Sequence, residues 1–406
     1  MDAALAELGL GRPIELAVVL GTRPEVIKLA PVVRLARQRA DEFHVRLLLT
    51  GQHRELADRL MDEFGLEADV DLDLMRRHHG LAPMAAECLR GLGAVLASDP
   101  PDWVLVQGDT TTTFAGALAA FYNRIRVGHV EAGLRTGCPN SPFPEEMNRR
   151  LTTSLAELHF APTETARANL LEQGVAPGVI VVTGNTGIDS LFEVRRRLAG
   201  ETTPESMHAM RSMQALEPPT MQSISPVPAT RRYALVTVHR RENHGPALAR
   251  ICDGLLALLD RHADLGIVLP VHPSPQVQGV VCARLGRHPR VVLAEPLGHA
   301  AFVQRLVGAA LVLTDSGGVQ EECAALGKPV LVLRDDTERQ EAVDAGVAML
   351  VGTAPQRIVD AASKVLSDAE VYDRMAQPSL AFGDGRASAR ILDALKRHTS
   401  TPASRR

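Results

Sequence analysis

Acidic residues in the first half of the chain follow predicted strands, where they could transfer protons. Asp109 follows the apolar run WVLVQ, and Glu131 follows RVGHV. Glu145 and Glu146 begin a predicted helix in PFPEEMNRR. The carboxyl ends of parallel strands form one edge of a sheet, where such folds bind ligands. Asp109 alone could simply cap the helix that the next threonines begin, but three acidic loops at one edge favour general acid–base chemistry.

The loop GTRPEVIK, after the first predicted strand, carries two cations at a predicted helix start. Arg23 and Lys28 flank this start, and Pro24 has its favoured place in the first turn. A helix N-terminus with two cations predicts an anion site, although a solvated surface turn has the same composition. The loop lacks the GxGxxG pattern of dinucleotide-binding folds, so we predict a reaction without a cofactor.

Loops after the strands of the second half carry residues suited to phosphate groups. His239 follows YALVTV, and His272 follows GIVLPV. Ser316, Gly317 and Gly318 begin a predicted helix after LVLTD. Small residues at a helix start let backbone N–H groups approach a phosphate closely. A single histidine in such a loop is more often structural, but its combination with SGG favours a diphosphate site.

Two charged residues further along extend this predicted site. Glu322 lies one and a half turns into the SGG helix, where it suits the hydroxyl groups of a ribose or is an ordinary solvated acid. Arg339 follows the strand PVLVL and a short DDT segment. We therefore predict that the second half holds a nucleotide and that the first half carries out the chemistry.

These residues need a scaffold, and apolar runs that alternate with amphipathic segments predict βαβ units with parallel sheets. Predicted strands of the first half cover Ile14–Leu20, Val45–Leu49, Trp103–Gln107, Arg126–Val130 and Val179–Thr183. A stretch rich in Pro, Ser, Thr and Met, from Glu201 to Arg232, interrupts the alternation before it resumes. The predicted fold class is α/β, with two Rossmann-like, doubly wound domains.

The predicted domains follow from this break in the pattern. They are an N-terminal domain at 1–185 with the carboxylates, a C-terminal nucleotide-binding domain at 186–377, a helix at 378–397 that crosses back to the N-terminal domain, and a flexible tail at 398–406.

Composition limits the partners and the location of the protein. The 406 residues carry a formal net charge of −4 and only 3% are aromatic, which argues against nucleic acid and anionic membranes. The N-terminus lacks a basic signal-peptide start, and no apolar run approaches the ~18 residues that span a bilayer. Five scattered cysteines without a CxxC pair indicate free thiols and no metal site. We therefore expect a soluble cytoplasmic protein.

From about Ile14 to Leu395 the chain resembles the non-hydrolysing UDP-N-acetylglucosamine (UDP-GlcNAc) 2-epimerases. The matching segments are GTRPEVIKLAP, TGQHRE, GDTTTT, GHVEAGLRTG, PFPEEMNRR, GNTGID, VTVHRREN, PVHPSP, DSGGVQEE and GKPVLVLRDDTERQEA. The resemblance implies a GT-B-like fold with an interdomain cleft, and a homodimer. It also implies that UDP-GlcNAc and UDP-N-acetylmannosamine (UDP-ManNAc) are interconverted.

Site residues carry over from this resemblance by motif. It implies catalytic carboxylates at Asp109, Glu131 and Glu145, and a further active-site residue at His239. The positions that hold UDP or its phosphates are Arg23, Lys28, His272, Phe302, Ser316, Gly317, Gly318, Glu322 and Arg339. Leu297 matches a position in the uracil-binding loop that acts through its backbone.

Some segments depart from the family pattern. Relatives bind a second, allosteric UDP-GlcNAc molecule beside the active site, and Gln52 and His53 of that neighbourhood are retained. A glutamine that usually helps it bind is missing from LMRRHHGLA, which offers His78 and His79 instead. Residues 298–301 read GHAA where the family usually has Asp-Tyr-x-Pro. Activation by substrate is therefore open, whereas every catalytic group is present.

The chemistry of carbon 2 accounts for this set of residues. No carbonyl group adjoins carbon 2 of an N-acetylhexosamine, so its proton is barely acidic. The resemblance implies that UDP is eliminated to give 2-acetamidoglucal and then adds back, which needs cations for the diphosphate and acids on both faces of the sugar. The alternatives are a hydrolysing epimerase, a GT-B glycosyltransferase, a catalytically silent nucleotide-sugar sensor, and epimerisation of a related UDP-2-acetamido sugar.

Overall fold

A computed structural model describes residues 12–51, 60–74, 80–140, 142–200, 230 and 232–400. The chain divides into two compact units, Met1–Ser190 with Gly383–Arg406, and Leu191–Phe382. The observed boundaries at 190 and 382 differ from those predicted at 185 and 377, because a continuous helix, Thr186–Leu198, runs through the first of them.

Part of what was predicted from the sequence lies outside the described residues. This applies to Gln52, His53, His78 and His79, and to nearly all of the Pro-rich segment between 201 and 231.

The first unit is built on a seven-stranded parallel sheet. Its strands are β1 (Ile14–Leu20), β2 (Phe43–Leu49), β3 (Val70–Asp71), β4 (Trp103–Gln107), β5 (Arg126–Val130), β6 (Leu158–Ala161) and β7 (Ile180–Val182). They lie in the order β3-β2-β1-β4-β5-β6-β7. The helices are α1 (Arg23–Gln38), α2 (Leu81–Ser98), α3 (Thr111–Tyr122), α4 (Glu145–Leu155), α5 (Glu164–Glu172) and α6 (Thr186–Leu198).

The second unit has a six-stranded parallel sheet. Its strands are β8 (Arg232–Thr237), β9 (Leu265–Pro270), β10 (Val291–Ala294), β11 (Leu311–Thr314), β12 (Val330–Val332) and β13 (Ala348–Leu350), in the order β10-β9-β8-β11-β12-β13. The helices are α7 (Pro246–Arg261), α8 (Pro275–Leu285), α9 (His299–Gly308), α10 (Gly317–Leu326), α11 (Gln340–Asp344), α12 (Pro355–Ser367) and α13 (Ala369–Met375).

The last helix, α14 (Ala387–Ser400), belongs to the first unit. Its apolar side chains Ile391, Leu392 and Leu395 join the core that β1, β2 and α1 form. The helix continues to Ser400, so residues 398–400 are helical, where the sequence predicted a flexible tail from 398.

Both sheets reverse their strand order, and these reversals place the functional loops. In the first sheet the reversal lies between β1 and β4, and in the second between β8 and β11. Doubly wound sheets bind ligands beyond the carboxyl ends of the strands at such points. The central strands are buried on both faces, as runs such as IELAVVL require of a parallel sheet covered by helices. The predicted α/β class with two Rossmann-like units is confirmed.

Helix α2 is an exception to the prediction that no segment is apolar and long enough to cross a membrane. Among the described helices it alone has the necessary 18 residues and composition, and only 17% of it is buried. The sequence LAPMAAECLRGLGAVLAS contains Glu87 and Arg90, so it does not stand out as an uninterrupted apolar run. Length and composition alone are weak evidence for a span, and α2 packs along α3 in this unit.

Candidate functional site

The predicted site residues of the first unit follow the carboxyl ends of three strands. Arg23 and Lys28 lie on α1 after β1, Asp109 follows β4, and Glu131 follows β5 directly. Glu145 is the first residue of α4, which leads from β5 to β6. The loops that carry these acids are therefore arranged on one edge of the sheet, as the sequence predicted.

Glu131 is a buried carboxylate held by three side chains. Lys28 Nζ lies 2.5 Å from Glu131 Oε1, Asn185 Nδ2 donates to the same oxygen at 2.9 Å, and Gln107 Nε2 donates to Oε2. Glu131 has φ of 62°, a left-handed backbone conformation that is unusual outside glycine and recurs at functional sites. Lys28, which was predicted to hold a phosphate, lies in this structure against a catalytic candidate.

Asp109 is held through both its backbone and its carboxylate. Arg149 binds the carboxylate through Nε, 3.1 Å from Oδ2, and through Nη2, while Asn148 Nδ2 donates to the Asp109 carbonyl at 2.9 Å. The alternative that Asp109 caps the next helix is wrong. Thr110 is the N-cap of α3, and its hydroxyl oxygen accepts the backbone N–H of Thr113 at 3.1 Å. The Asp109 carboxylate is thus available for other tasks.

Glu25, which sequence reasoning missed, connects the loop after β1 to the loop after β4. Its Oε2 accepts the backbone N–H groups of Gly21 and Thr22 at 2.6 Å, and its Oε1 accepts the Thr110 hydroxyl at 2.5 Å. Burial raises the pKa of Glu25. The spacing of Thr22 and Glu25 is that of a capping box, which would have identified this residue as structural.

His129 fixes the residue before Asp109. Its Nε2 lies 2.7 Å from the Gly108 carbonyl oxygen, and its side chain is completely buried within β5. Burial lowers the pKa of His129 to about 4. The neutral imidazole therefore donates its Nε2 proton to Gly108, which places the turn that carries Asp109.

The two neighbouring acids of α4 have different environments. The Glu146 carboxylate is fully buried and accepts from Arg150 Nε at 2.8 Å and from the Thr136 backbone N–H at 3.1 Å. Arg149 Nη1 lies 3.3 Å from it and so connects it to Asp109. Within the described ranges the side chain of Glu145 makes no hydrogen bond or ion pair and is partly exposed. Glu146 is therefore the structural acid of the pair, and Glu145 is the one whose side chain is partly exposed at the start of α4.

In the second unit, His239 and the SGG segment lie at the strand-order reversal. His239 follows β8, and its Nδ1 lies 3.1 Å from Oδ1 of Asp315, the residue after β11. Ser316 is the N-cap of α10, and its N–H donates to Thr314 Oγ1 at 2.9 Å. The first N–H groups of a helix lack intrahelical acceptors, so this helix start offers donors to an anion.

Arg339 packs against the first residue of α10, Gly317. A Cβ atom on Gly317 would lie 2.8 Å from Arg339 Cζ, whereas one on Gly318 would meet nothing within 4 Å. The Arg339 guanidinium is buried, with Nε 2.8 Å from Glu321 Oε1 and Nη1 3.3 Å from Glu338 Oε1. Arg339 was predicted to hold UDP, and the structure shows it packed against the backbone that begins α10.

Glu338 joins three arginines in this region. Arg334 Nη1 lies 2.7 Å from its Oε2, and Arg240 Nη2 lies 3.0 Å from its Oε1. Burial alone would raise the pKa of Glu338, but the charges of Arg339, Arg240 and Arg334 hold that pKa well below its usual range. Neither Glu338 nor Arg334 stood out in the sequence, because the cluster is complete only when Arg240, from the loop after β8, joins the 334–339 segment after β12.

The remaining predicted nucleotide contacts also follow strands of the second sheet. His272 is exposed after β9, and its Nδ1 accepts the Ser274 N–H at 3.2 Å. Leu297 and Phe302 are partly exposed after β10, and Glu322 is partly exposed on α10. Their assigned contacts with UDP stay predictions.

The two glycines at the start of α10 give a matched test of this packing. Replacement of Gly317 by alanine is expected to lower the free energy of unfolding of the second unit by about 1–3 kcal/mol, because the new methyl group displaces the Arg339 guanidinium. Gly318→Ala should leave stability within about 0.5 kcal/mol of the wild type. Urea unfolding followed by far-ultraviolet circular dichroism measures both, and equal stability of the two variants would contradict the packing.

Two buried histidines predict how the first unit responds to acid. His129 and His159 are register partners on β5 and β6, and burial lowers their pKa values to about 4 and about 3. Unfolded histidines titrate near 6.5. The unfolded chain therefore binds more protons below about pH 6.5, and stability should fall from there towards pH 4, on the order of 3 kcal/mol for His129.

The fluorescence of Trp103, the one tryptophan and a core residue of the first unit, reports this transition. The urea concentration at the midpoint of unfolding should be lower at pH 5 than at pH 7. His159→Phe should make this difference smaller. A midpoint that is the same at both pH values would contradict the buried neutral histidines.

Comparisons with known proteins agree on one family. The UDP-N-acetylglucosamine 2-epimerase family model matches residues 35–396. The chain is 46% identical over 388 residues to the UDP-N-acetylglucosamine 2-epimerase of Yersinia pestis, with 96% of this chain and 100% of that protein covered. It is 46% identical over 383 residues to the enzyme of that name from Escherichia coli K12, with 94% and 98% covered. A crystal structure of UDP-GlcNAc 2-epimerase from Neisseria meningitidis bound to UDP-GlcNAc has a TM-score of 0.85 at 40% identity, with 95% of this chain and 100% of that chain covered.

Proposed function

Because the chain belongs to the UDP-N-acetylglucosamine 2-epimerase family, we propose that it reversibly inverts carbon 2 of UDP-GlcNAc without net hydrolysis. The observation that carries this proposal is the group of acids on one edge of the first sheet. Glu131 lies against Lys28, Asp109 lies against Arg149, and Glu145 makes no ion pair among the described residues. Acids in such different environments suit a reaction that removes and returns a proton.

The first half of the proposed reaction eliminates UDP. A base takes the proton from carbon 2, a double bond forms between carbons 1 and 2, and the anomeric C–O bond breaks with its electron pair going to the diphosphate. The product is 2-acetamidoglucal. Arg149 offers two N–H donors to the carboxylate form of Asp109, which supports a role for Asp109 as the base.

The second half returns the proton to the opposite face of carbon 2, and an oxygen of the diphosphate bonds again to carbon 1. This step needs a second acid, since one carboxylate does not reach both faces of the sugar. Glu145 suits this task because its partly exposed side chain makes no ion pair with a described residue. The start of α10, with Ser316 as N-cap, is the part of the second unit best suited to the diphosphate.

Product analysis tests this proposal. The purified protein is incubated with UDP-GlcNAc alone, without added NAD or an acceptor sugar, and the products are separated by chromatography. We expect UDP-GlcNAc and UDP-ManNAc at a constant ratio with no accumulating UDP. Stoichiometric UDP with free N-acetylmannosamine would show a hydrolysing enzyme instead, and a requirement for an acceptor would show a glycosyltransferase.

The bridging oxygen gives a separate test of the elimination step. UDP-GlcNAc labelled with ¹⁸O between carbon 1 and phosphorus should scramble the label into the non-bridging positions of the β-phosphate, because that phosphate rotates before UDP adds back. Phosphorus NMR resolves the two positions. Epimerisation with the label retained in the bridge would contradict cleavage of the anomeric bond.

We also propose that the protein is a homodimer that pairs through the helices α2, α3 and α4. These helices lie side by side and expose large apolar side chains, among them Phe121, Tyr122, Met147 and Leu151. Exposed large apolar side chains on neighbouring helices favour an interface at this face. Light scattering should give a dimer for the wild type and a monomer for Leu151→Glu. Leu380→Glu, at an exposed position of the second unit, should remain a dimer.

A further inference from the structure

Asp315 is a buried carboxylate that no sequence motif singled out as functional. Its side chain is fully buried and accepts the backbone N–H groups of His239 at 3.1 Å and Arg240 at 3.0 Å. Asn243 Nδ2 donates to its Oδ2 at 2.9 Å. The fourth contact is the imidazole of His239, whose Nδ1 lies 3.1 Å from Oδ1. The three hydrogen-bond donors and the imidazole at ion-pair distance therefore all come from the segment that follows β8.

The contact with Asp315 determines which ring nitrogen of His239 carries a proton. Burial would raise the pKa of Asp315, but the proximity and charge of His239, the hydrogen bond from Asn243 and the backbone N–H of Arg240 lower that pKa below its ordinary value. An ionised carboxylate only accepts hydrogen bonds, so His239 Nδ1 carries a proton. The second ring nitrogen, Nε2, is then the one left for a ligand, and 43% of the side chain is exposed to reach one.

The position of Asp315 in the fold gives this contact a further consequence. β8 and β11 are neighbours at the strand-order reversal, and Asp315 directly precedes Ser316, the N-cap of α10. One carboxylate therefore holds the imidazole of His239 at a fixed place beside the helix start best suited to the diphosphate. A buried acid that only closed the loop would need the backbone donors but not the imidazole.

We propose that Asp315 is a positioning residue that sets the tautomer and orientation of His239 for the epimerase reaction. The proposal rests on the proposed function, because His239 is assigned to the active site by family resemblance. Paired acids of this kind hold a histidine in one tautomer and direct its free nitrogen to the substrate. Asp315 acts through His239 and does not itself contact the substrate.

The test compares Asp315→Asn, His239→Gln and the double variant. We expect Asp315→Asn to lower kcat roughly 10- to 100-fold, less than the 10²- to 10⁴-fold that a positioned acid or base contributes. The dissociation constant for UDP should change less than about threefold, since the start of α10 is retained. Because Asp315 acts through His239, the double variant should be no slower than His239→Gln alone.

Asn243→Ala is the matched control, because it removes a donor to the same carboxylate without touching the imidazole. If the lower kcat of Asp315→Asn comes from the lost contact with the imidazole, and not from weaker hydrogen bonds in the loop, Asn243→Ala should keep kcat within about threefold of the wild type. Nitrogen NMR of the wild type adds a measurement that needs no variant. A protonated Nδ1 on His239 supports the proposal, and a proton on Nε2 with Nδ1 bare overturns it.

The outcomes separate this proposal from the proposed function. A wild type that forms no UDP-ManNAc overturns both. An active wild type in which the effects of Asp315→Asn and His239→Gln multiply in the double variant overturns only the role of Asp315. Loss of UDP binding in Asp315→Asn with kcat unchanged also overturns it, because the carboxylate would then serve the helix start alone.

Discussion

Replacement of Asp109 by asparagine is expected to lower kcat by about 10²- to 10⁴-fold while UDP binds with nearly unchanged affinity. Asparagine keeps the shape of the side chain and the backbone contacts with Asn148 and, through Gly108, with His129. It removes the carboxylate that Arg149 holds and that we propose as the base. Incorporation of solvent deuterium at carbon 2, followed by proton NMR, measures the effect, and calorimetric titration measures UDP binding.

Asp102→Asn provides the matched control for this variant. Asp102 also pairs with an arginine, Arg12, at 2.6 Å, and its side chain is 22% exposed, close to the 27% of Asp109. It precedes β4, whereas Asp109 follows the carboxyl end of that strand. Asp102→Asn should exchange deuterium at the wild-type rate. Normal exchange in Asp109→Asn together with lost UDP binding would reverse the roles proposed for the two units.

Replacement of Glu338 by glutamine is expected to destabilise the second unit by about 3–5 kcal/mol. Glu338 is 2% exposed and has contacts with Arg334, Arg339 and Arg240. The neutral amide leaves these guanidinium groups close together without the charge that balances them. Hydrogen exchange of amides in the second unit should accelerate, while the fluorescence transition of Trp103 in the first unit keeps its midpoint.

Asp336→Asn is the control for the loss of an acid beside Arg334. Asp336 lies 3.1 Å from Arg334 Nη2, but its side chain is 89% exposed, so water screens the pair. This variant should exchange its amides at the wild-type rate. If the amides of the second unit exchange hydrogen as slowly in Glu338→Gln as in the wild type, the buried carboxylate does not stabilise the cluster of three arginines.

The sequence predicted the strands that lie in uniformly apolar runs, among them the three-residue β7 and β12, and missed β3, β6 and β13. β1, β4 and β5 were predicted with their observed bounds. β6 reads LHFA, and its central His159 hides a buried strand that lies inside the sheet. β3 and β13 have two and three residues and carry too little apolar pattern to stand out.

The same limit applies to the site. The loops with Asp109 and Glu131 were predictable because each acid directly follows an apolar run, and a parallel sheet brings such ends together. The groups that hold these acids were not predictable, since the fold joins Lys28 to Glu131 across 103 positions and Asn185 to Glu131 across 54. Asp315 was overlooked for the same reason, because its partner His239 lies 76 positions away.

Proton exchange at carbon 2 tests the central proposal most directly. The wild-type protein is incubated with UDP-GlcNAc in D₂O until the two sugars reach a constant ratio, and proton NMR follows the carbon 2 signals. Removal and return of the proton by protein acids predicts deuterium at carbon 2 of UDP-ManNAc and its gradual appearance in the UDP-GlcNAc pool. UDP-ManNAc that forms with protium retained at carbon 2 would contradict it.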